Sequence, residues 1–307
     1  MKIPAPVVLN AEQVQERLLG LDVLGAMRDL FRALGEGQAT QPPQTLTLFP
    51  EGKGDFITYA GILAREQVFG LKVSPYLKTD GRPIITAHTL LMSMETGQPL
   101  QLCDAHALTT ERTAATTALA VDLLARKDAR KLAVIGSGPV ALAHLEYALP
   151  LRPWQQVRIW SLSTDGLRSK LPEAVEIATD LPHAVEDADV VMLCTSSGSP
   201  VLDPASLAKP ALITSISTNA PKAHEVPPIS LLDMDTYCDC RDTTPSTAGE
   251  MVLAHAHGWS PEAIRGDLGS LVCGRAPLPD YQRHCFFRSV GLGLEDVQLA
   301  LAIHRHF

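Results

Sequence analysis

Lys131-Leu-Ala-Val-Ile-Gly-Ser-Gly-Pro-Val-Ala-Leu-Ala-His-Leu145 is the stretch on which the fold turns. Leu132 to Ile135 form a short apolar run that reads as a buried strand, and an Ala/Leu-rich helical pattern follows it. Between them, Gly136, Gly138 and Ala141 give the G-x-G-x-x-A form of the dinucleotide fingerprint. Gly136 permits the tight turn, Gly138 lets backbone approach a pyrophosphate, and Ala141 lets helix and strand pack closely. The helix N-terminus then offers N–H groups and the positive end of its dipole to phosphates. A plain glycine turn between strand and helix is the alternative, but the loop sits in the context a nucleotide site requires. A bound dinucleotide points to hydride transfer.

The rest of the chain is consistent with an enzyme of this kind. At 307 residues it exceeds the usual single-domain size, so two domains are expected. Its net charge of −8, with no offsetting basic cluster, argues against nucleic-acid binding. The first thirty residues lack the pattern of a signal peptide, and no apolar run reaches the roughly 18 residues of a membrane span. A cytoplasmic protein without membrane attachment is the expectation. The six cysteines form no C-x-x-C pair and read as reduced core thiols. His255-Ala-His257 and His304-Arg-His306 lack a third ligand at a recognisable spacing, so no metal is expected.

Residues 11–37 carry helical periodicity, closed by Gly35 and Gly37. From Gln44 to Pro99 the texture changes to short strands broken by turns: Thr45–Phe49, Phe56–Tyr59, Phe69–Val73, Ile84–Leu91 and Pro99–Leu102. A helix over Thr109–Ala125, with Thr109 or Thr110 as N-cap, leads into the fingerprint strand. The rhythm then becomes βαβ: strands at Leu132–Ile135, Val157–Trp160, Val175–Ile177, Val190–Cys194 and Leu212–Ser217, then helical segments from 246. Strands alternating with helices imply a parallel, doubly wound sheet. The expected class is α/β: a doubly wound Rossmann domain over 111–289, plus an α+β substrate and dimerisation domain over 1–110 with 290–307. The last helix, from Leu294 to about Ala302, is expected to return to that first domain.

Several segments, in order, resemble the ornithine cyclodeaminase/mu-crystallin family. They are Gly70-Leu-Lys-Val73, Glu95-Thr-Gly-Gln-Pro-Leu100, Asp104-Ala105, Thr109-Thr-Glu-Arg-Thr-Ala-Ala115, the glycine loop, and Phe287-Arg-Ser-Val-Gly-Leu-Gly-Leu-Glu-Asp296. The resemblance implies a homodimer and a catalytic pair, Lys72 facing the substrate and Arg112 holding its carboxylate. A guanidinium is the natural bidentate partner of a carboxylate, which fits Arg112. The alternatives are a solvated strand lysine, since alternation with Leu71 and Val73 places Lys72 outward, and an exposed arginine paired with Asp104 or Glu111. Gln44 takes the place of a second carboxylate-binding arginine found in many members, and Asn219 fits the family's Asn-Ala loop as a substrate contact.

The departures matter as much. Cyclodeaminases of the family carry Asn-Ala-Val-Gly-Gly-Asp after the strand that corresponds to Leu212–Ser217. Here the loop reads Ser217-Thr-Asn-Ala-Pro-Lys-Ala-His-Glu-Val226, shorter and without the aspartate that handles amine chemistry. With the deaminating half removed, a ketimine reductase remains, because a protonated C=N needs hydride, a carboxylate anchor and no strong acid. The resemblance therefore implies NAD(P)H-dependent reduction of a cyclic 2-imino acid, pyrroline-2-carboxylate or piperideine-2-carboxylate, to proline or pipecolate. A cyclodeaminase, an alanine-type dehydrogenase and a noncatalytic NADPH-binding protein are the alternatives. His224 and Glu225 stand either as a replacement proton-donor pair or as an exposed loop dipeptide.

NADPH is expected over NADH. The strand ending at Trp160 is followed by Ser161-Leu-Ser-Thr164, without the acidic residue that reads ribose hydroxyls in NAD-specific domains. Ser161, Ser163 and Thr164 can donate to a 2′-phosphate, with Arg168 reaching it from the next helix, although Asp165 lies close by. Ser196-Ser-Gly-Ser199 suits the adenosine side of the groove. Thr195, Ser217, Val290 and Gly291 complete the candidate cofactor set.

Overall fold

The computed structural model describes residues 5–217 and 222–306. The described residues divide into two compact units: one drawn from Met1–Arg112 and Leu292–Phe307, the other Thr113–Gly291. Both crossovers fall two residues later than the sequence suggests, which puts Arg112 in the first unit rather than the second. No helix among the described residues is long and apolar enough to cross a membrane.

The first unit is built on a mixed sheet of β1 (Val7–Leu9), β2 (Ala39–Thr40), β3 (Thr45–Leu48), β4 (Gly54–Leu63), β5 (Val68–Leu77), β6 (Ile84–Ile85), β7 (His88–Ser93) and β8 (Pro99–Asp104). Its main path runs β1-β8-β7-β5-β4-β2; β3 joins β4 and β6 joins β5, and all pairings are antiparallel except β1 with β8. The helical stretch at 11–37 is two helices, α1 (Ala11–Leu18) and α2 (Val23–Gly35). The break is chemical. Gly20 takes a φ of +85°, and Asp22 caps α2 by accepting from the Gly25 N–H at 2.8 Å. α3 (His106–Leu124) starts three residues before the expected N-cap threonines, because Asp104 captures the His106 N–H at 2.9 Å.

α9 (Gly293–Arg305) packs on β4, β5 and β7 of this sheet and is buried along most of its length. The approach is backbone to backbone. A Cβ on Gly293 would stand 2.2 Å from the Ala60 carbonyl oxygen, and one on Gly61 would stand 2.7 Å from the Leu294 nitrogen. Gln41 fixes the same end, its Oε1 accepting from the Leu294 N–H at 3.1 Å.

The second unit is an eight-stranded sheet in which every pairing is parallel. Its strands are β9 (Lys131–Ile135), β10 (Gln156–Trp160), β11 (Val175–Ile177), β12 (Val190–Leu193), β13 (Leu212–Ser215), β14 (Met234–Cys238), β15 (Ile264–Asp267) and β16 (His284–Arg288), in the order β11-β10-β9-β12-β13-β16-β14-β15. Its helices are α4 (Pro139–Ala148), α5 (Leu181–Val185), α6 (Thr244–Thr247), α7 (Gly249–Ala254) and α8 (Leu268–Val272). The order reverses at β9, and the crevice beyond the carboxyl ends of β9 and β12 is where such sheets bind dinucleotides. β14 to β16 escape a periodicity reading because charge interrupts them: Asp235 in β14 is buried, neutralised by Arg265 and by Arg283 at 2.6 Å.

The close approach of α9 sets a stability prediction. Gly293→Ala places a methyl group against backbone that cannot rotate away, so it should destabilise the fold by on the order of 2–3 kcal/mol. Chemical denaturation with the wild type alongside checks this; an unchanged midpoint would show that α9 can lift off β4.

Candidate functional site

Lys72 points into the first unit. On β5 the buried positions are 68, 70 and 72, so the face opposite to the one suggested by Leu71 and Val73 lies under α9. The two glycine contacts bring the α9 backbone down on that face, and an inward lysine follows. Its Nζ sits 3.0 Å from Asp296 Oδ2, 3.1 Å from Oδ1 and 3.3 Å from Thr109 Oγ1, and 4.4 Å above the centre of the Tyr59 ring. Arg112 is likewise buried, not exposed beside Asp104 or Glu111. Its Nη1 donates to Glu295 Oε2 at 2.9 Å and its Nε to Asp296 Oδ1 at 3.2 Å. Lys72 and Arg112 are 2% and 4% exposed, and Glu295 and Asp296 are 0% exposed.

These four side chains form a charge-balanced quartet. Glu295 and Asp296 lie in the first turn of α9, where the helix dipole favours anions. Burial pulls the Lys72 pKa down, Arg112 pulls the same way, and Asp296 and Glu295 restore only part of the loss, leaving it at about 8. For Arg112 burial again opposes the charge, but the two carboxylates outweigh it and hold the guanidinium protonated. Glu295 and Asp296 end the signature segment at 287–296, yet their role is invisible without the fold. The available signal was a doubly acidic first turn opening an apolar helix. Gln44 is half-buried just ahead of β3. Asn219 lies outside the described residues.

The glycine loop of the second unit has the form a dinucleotide needs. Gly136 holds a φ of +133°, and a Cβ there would meet the Cys194 carbonyl oxygen at 2.5 Å and the Ala141 Cβ at 3.3 Å. Gly138 is the N-cap of α4 and supplies no side chain to the first-turn N–H groups; a Cβ there would meet nothing within 4 Å. Open space above uncapped N–H groups is what a pyrophosphate fills. Ser137, in the glycine loop, donates its hydroxyl to the Ser163 carbonyl at 3.2 Å and lies 2.9 Å from Ser161 Oγ, and after β10 Ser163 Oγ reaches Asp165 at 3.4 Å. Thr164 is exposed in the same turn. Ser137 is an addition to the hydroxyl set.

Other candidates stand differently from the expectation. Arg168 is turned away from the ribose turn: Nη1 donates to the Val175 carbonyl at 2.6 Å, and Nη2 to those of Pro172 at 2.5 Å and Leu171 at 3.2 Å. The serines at 196–199 follow β12, on the other side of β9 from β10, which removes them from the adenosine side. Val290 and Gly291 donate their N–H groups to the buried Asp239 Oδ2, at 2.7 and 3.1 Å, so those donors close the turn after β16. Thr195 and Ser217 both bond Glu225. Glu225 is fully buried, so it is not an exposed loop residue. His224 Nδ1 lies 2.7 Å from the Lys222 carbonyl.

Comparison with known proteins shows the family and the fold. The profile of the ornithine cyclodeaminase/mu-crystallin family matches residues 5–307. An NAD(P)H-dependent anabolic L-arginine dehydrogenase of Pseudomonas aeruginosa is 57% identical, over 99% of this chain and 98% of its own. The ketimine reductase mu-crystallin of Mus musculus is 24% identical over 98% and 97% of the two chains. In fold, the chain is similar to the Thermococcus litoralis Delta(1)-pyrroline-2-carboxylate reductase solved with NADH and L-proline: TM-score 0.87, 21% identity, and coverage of 98% and 97%.

The Lys72 environment gives a pH prediction. Lys72 loses its charge as pH rises through about 8, so kcat/KM for a carboxylate substrate should be highest below that pH and fall above it. Lys72→Arg keeps the charge and should abolish this fall while changing the absolute rate. A fall of the same shape in the arginine variant would take the titration away from Lys72.

Proposed function

Because the chain belongs to the ornithine cyclodeaminase/mu-crystallin family, we propose that it reduces the C=N bond of an open-chain 2-imino acid with a basic side chain to the L-amino acid. It is an NAD(P)H-dependent oxidoreductase. The observation that carries the substrate class is the quartet of Lys72, Arg112, Glu295 and Asp296. Two cations balanced by two carboxylates suit a zwitterion better than a simple anion. A protonated 2-imino acid is such a zwitterion, with a carboxylate beside C=NH2+. The basic side chain is argued from the 57% identity to an L-arginine dehydrogenase.

The chain's own groups have limited work to do. Among the described residues the internal bonds of Arg112 use Nε and Nη1, so the Nη2 edge is the part of the fork left for a substrate carboxylate. Lys72 adds a point charge, and Glu295 and Asp296 complement the iminium. The cofactor, when bound, supplies the hydride. Addition of hydride to the iminium carbon places the C=N π pair on nitrogen, and the amine then takes a proton from water. No side chain has to donate a proton in the transition state, which accords with a 217–226 loop that has no aspartate. Positioning supplies most of the acceleration.

The cyclic reading, pyrroline-2-carboxylate or piperideine-2-carboxylate, is kept as the second one, since ring closure leaves the same iminium and carboxylate to be held. Of the cofactor forms, the hydroxyls of Ser137, Ser161, Ser163 and Thr164 and the lack of an acid at the end of β10 favour NADPH. With Arg168 engaged elsewhere the preference should be modest, under about tenfold, because neutral hydrogen bonds contribute about 1 kcal/mol each. Leu48 and Ile85, 72% and 64% exposed on β3 and β6, offer an apolar face for self-association, so a homodimer belongs to the proposal, and a monomer mass by sedimentation would remove it.

Steady-state kinetics decide among the substrates. Purified enzyme with NADPH or NADH is given the 2-oxo acid of arginine with ammonium, pyruvate with ammonium, or pyrroline-2-carboxylate. The largest kcat/KM is expected for the arginine-type substrate, with NADPH. A clear preference for the cyclic imine would replace the open-chain reading by the cyclic one, and no oxidation of cofactor with any of them would overturn both.

A further inference from the structure

A single carboxylate organises the sheet edge beyond β12 and β13. Glu225 Oε1 accepts from the Thr195 N–H at 2.8 Å and from Thr195 Oγ1 at 2.6 Å; Oε2 accepts from Ser215 Oγ at 2.7 Å and the Ser217 N–H at 2.8 Å. The Glu225 main-chain carbonyl accepts from Val201 and Leu202 at 2.7 and 3.1 Å. One residue therefore ties together the carboxyl ends of two adjacent central strands. Ser217 holds a φ of +46°, a left-handed conformation unfavourable for a non-glycine residue, and its N–H bond to Glu225 fixes it there.

The charge of Glu225 is met by these hydrogen bonds and, among the described residues, by no ion pair. The neighbouring buried Glu250 differs, since Arg288 Nε lies 2.8 Å from its Oε1 and neutralises it. A fully buried carboxylate met only by hydrogen bonds, at the carboxyl ends of strands that border the cofactor crevice, is a candidate functional group. Its place in the sheet says which group. Dinucleotides lie across the reversal of strand order, with their two halves on opposite sides of it. The ribose-reading turn with Ser161 and Ser163 follows β10, on one side of β9; Glu225 lies at β12 and β13, on the other. That side takes the nicotinamide half.

We propose that Glu225 is a positioning residue of the nicotinamide half of the cofactor site, whose fixed negative charge favours the oxidised ring over the reduced one. The oxidised ring carries a positive charge and the reduced ring is neutral, so a buried anion distinguishes them by Coulomb attraction alone. The proposal rests on the glycine-loop cofactor site and is independent of which imino acid is reduced.

Fluorescence titration of the purified full chain with NADP+ and with NADPH tests it. Glu225→Gln should weaken NADP+ binding on the order of fivefold more than NADPH binding, whereas Glu225→Asp, which keeps the charge, should leave the ratio of the two Kd values at the wild-type level. If the amide variant does not fold, because its NH2 group faces the Ser215 and Ser217 donors, the double variant with Ser215→Ala removes one of those conflicts and carries the same measurement. Equal weakening of both forms, or no change in either, would make Glu225 a structural tie and overturn the proposal. Gly138→Val is the control: loss of both forms supports the glycine loop, and undiminished binding of both would place the nucleotide elsewhere and remove the site on which the proposal rests.

Discussion

Most of what the first unit can do depends on how closely α9 lies on β4. Gly61 and Gly293 let two backbones touch where any side chain would hold them apart, and that contact drops the first turn of α9 onto the sheet face that carries Lys72. Glu295 and Asp296 thereby reach Lys72 and Arg112. The four charges are mutually dependent: deleting one member of a buried ion pair strands its partner, at a cost on the order of 3–5 kcal/mol. Arg112 belongs to α3 and Asp296 to α9, separated by nearly the whole second unit in sequence. The quartet is therefore a tertiary structure in its own right, and it explains why an acidic turn opens an otherwise apolar terminal helix.

In the second unit, two buried carboxylates are held differently. Asp239 and Glu225 are both buried, and each gathers backbone N–H groups at strand ends: Asp239 those of Cys240, Val290 and Gly291, Glu225 those of Thr195 and Ser217. Satisfied by donors in this way, an ionised carboxylate can be held out of water without a counter-ion. The donors thus engaged are drawn inward, which leaves the open space at Gly138 and the uncapped start of α4 as the features suited to a phosphate.

Legibility from sequence followed local rules. The β9–loop–α4 segment was readable because strand, glycine spacing and helix are contiguous, and the α/β class followed from alternation. The resemblance names Lys72 and Arg112, and burial of Lys72 under α9 removes the alternative of a solvated strand lysine, because alternation reports which residues share a face, not which face another element covers. Arg168 was assigned to the ribose turn by proximity in sequence, whereas three carbonyls of the 171–175 segment compete for it and hold it. Asp235, buried between two arginines, hides β14 from a hydrophobicity reading. Glu295 and Asp296 have no role legible in the sequence, and Glu225 reads there only as a proton donor or an exposed loop residue, because each acts on residues brought near only by the fold.

On the proposed function, a carboxylate-anchored 2-imino acid presents its C=N carbon for hydride delivery. The most direct measurement is isotopic: reduction is run with the dihydronicotinamide deuterated at the transferred position, in ordinary water, and the amino acid is analysed by mass spectrometry and chiral chromatography. An anchored substrate exposes one face, so the product should be a single enantiomer, the L form, carrying one deuterium at Cα. A product without deuterium at Cα, or a racemic one, would contradict direct hydride transfer to an oriented imine.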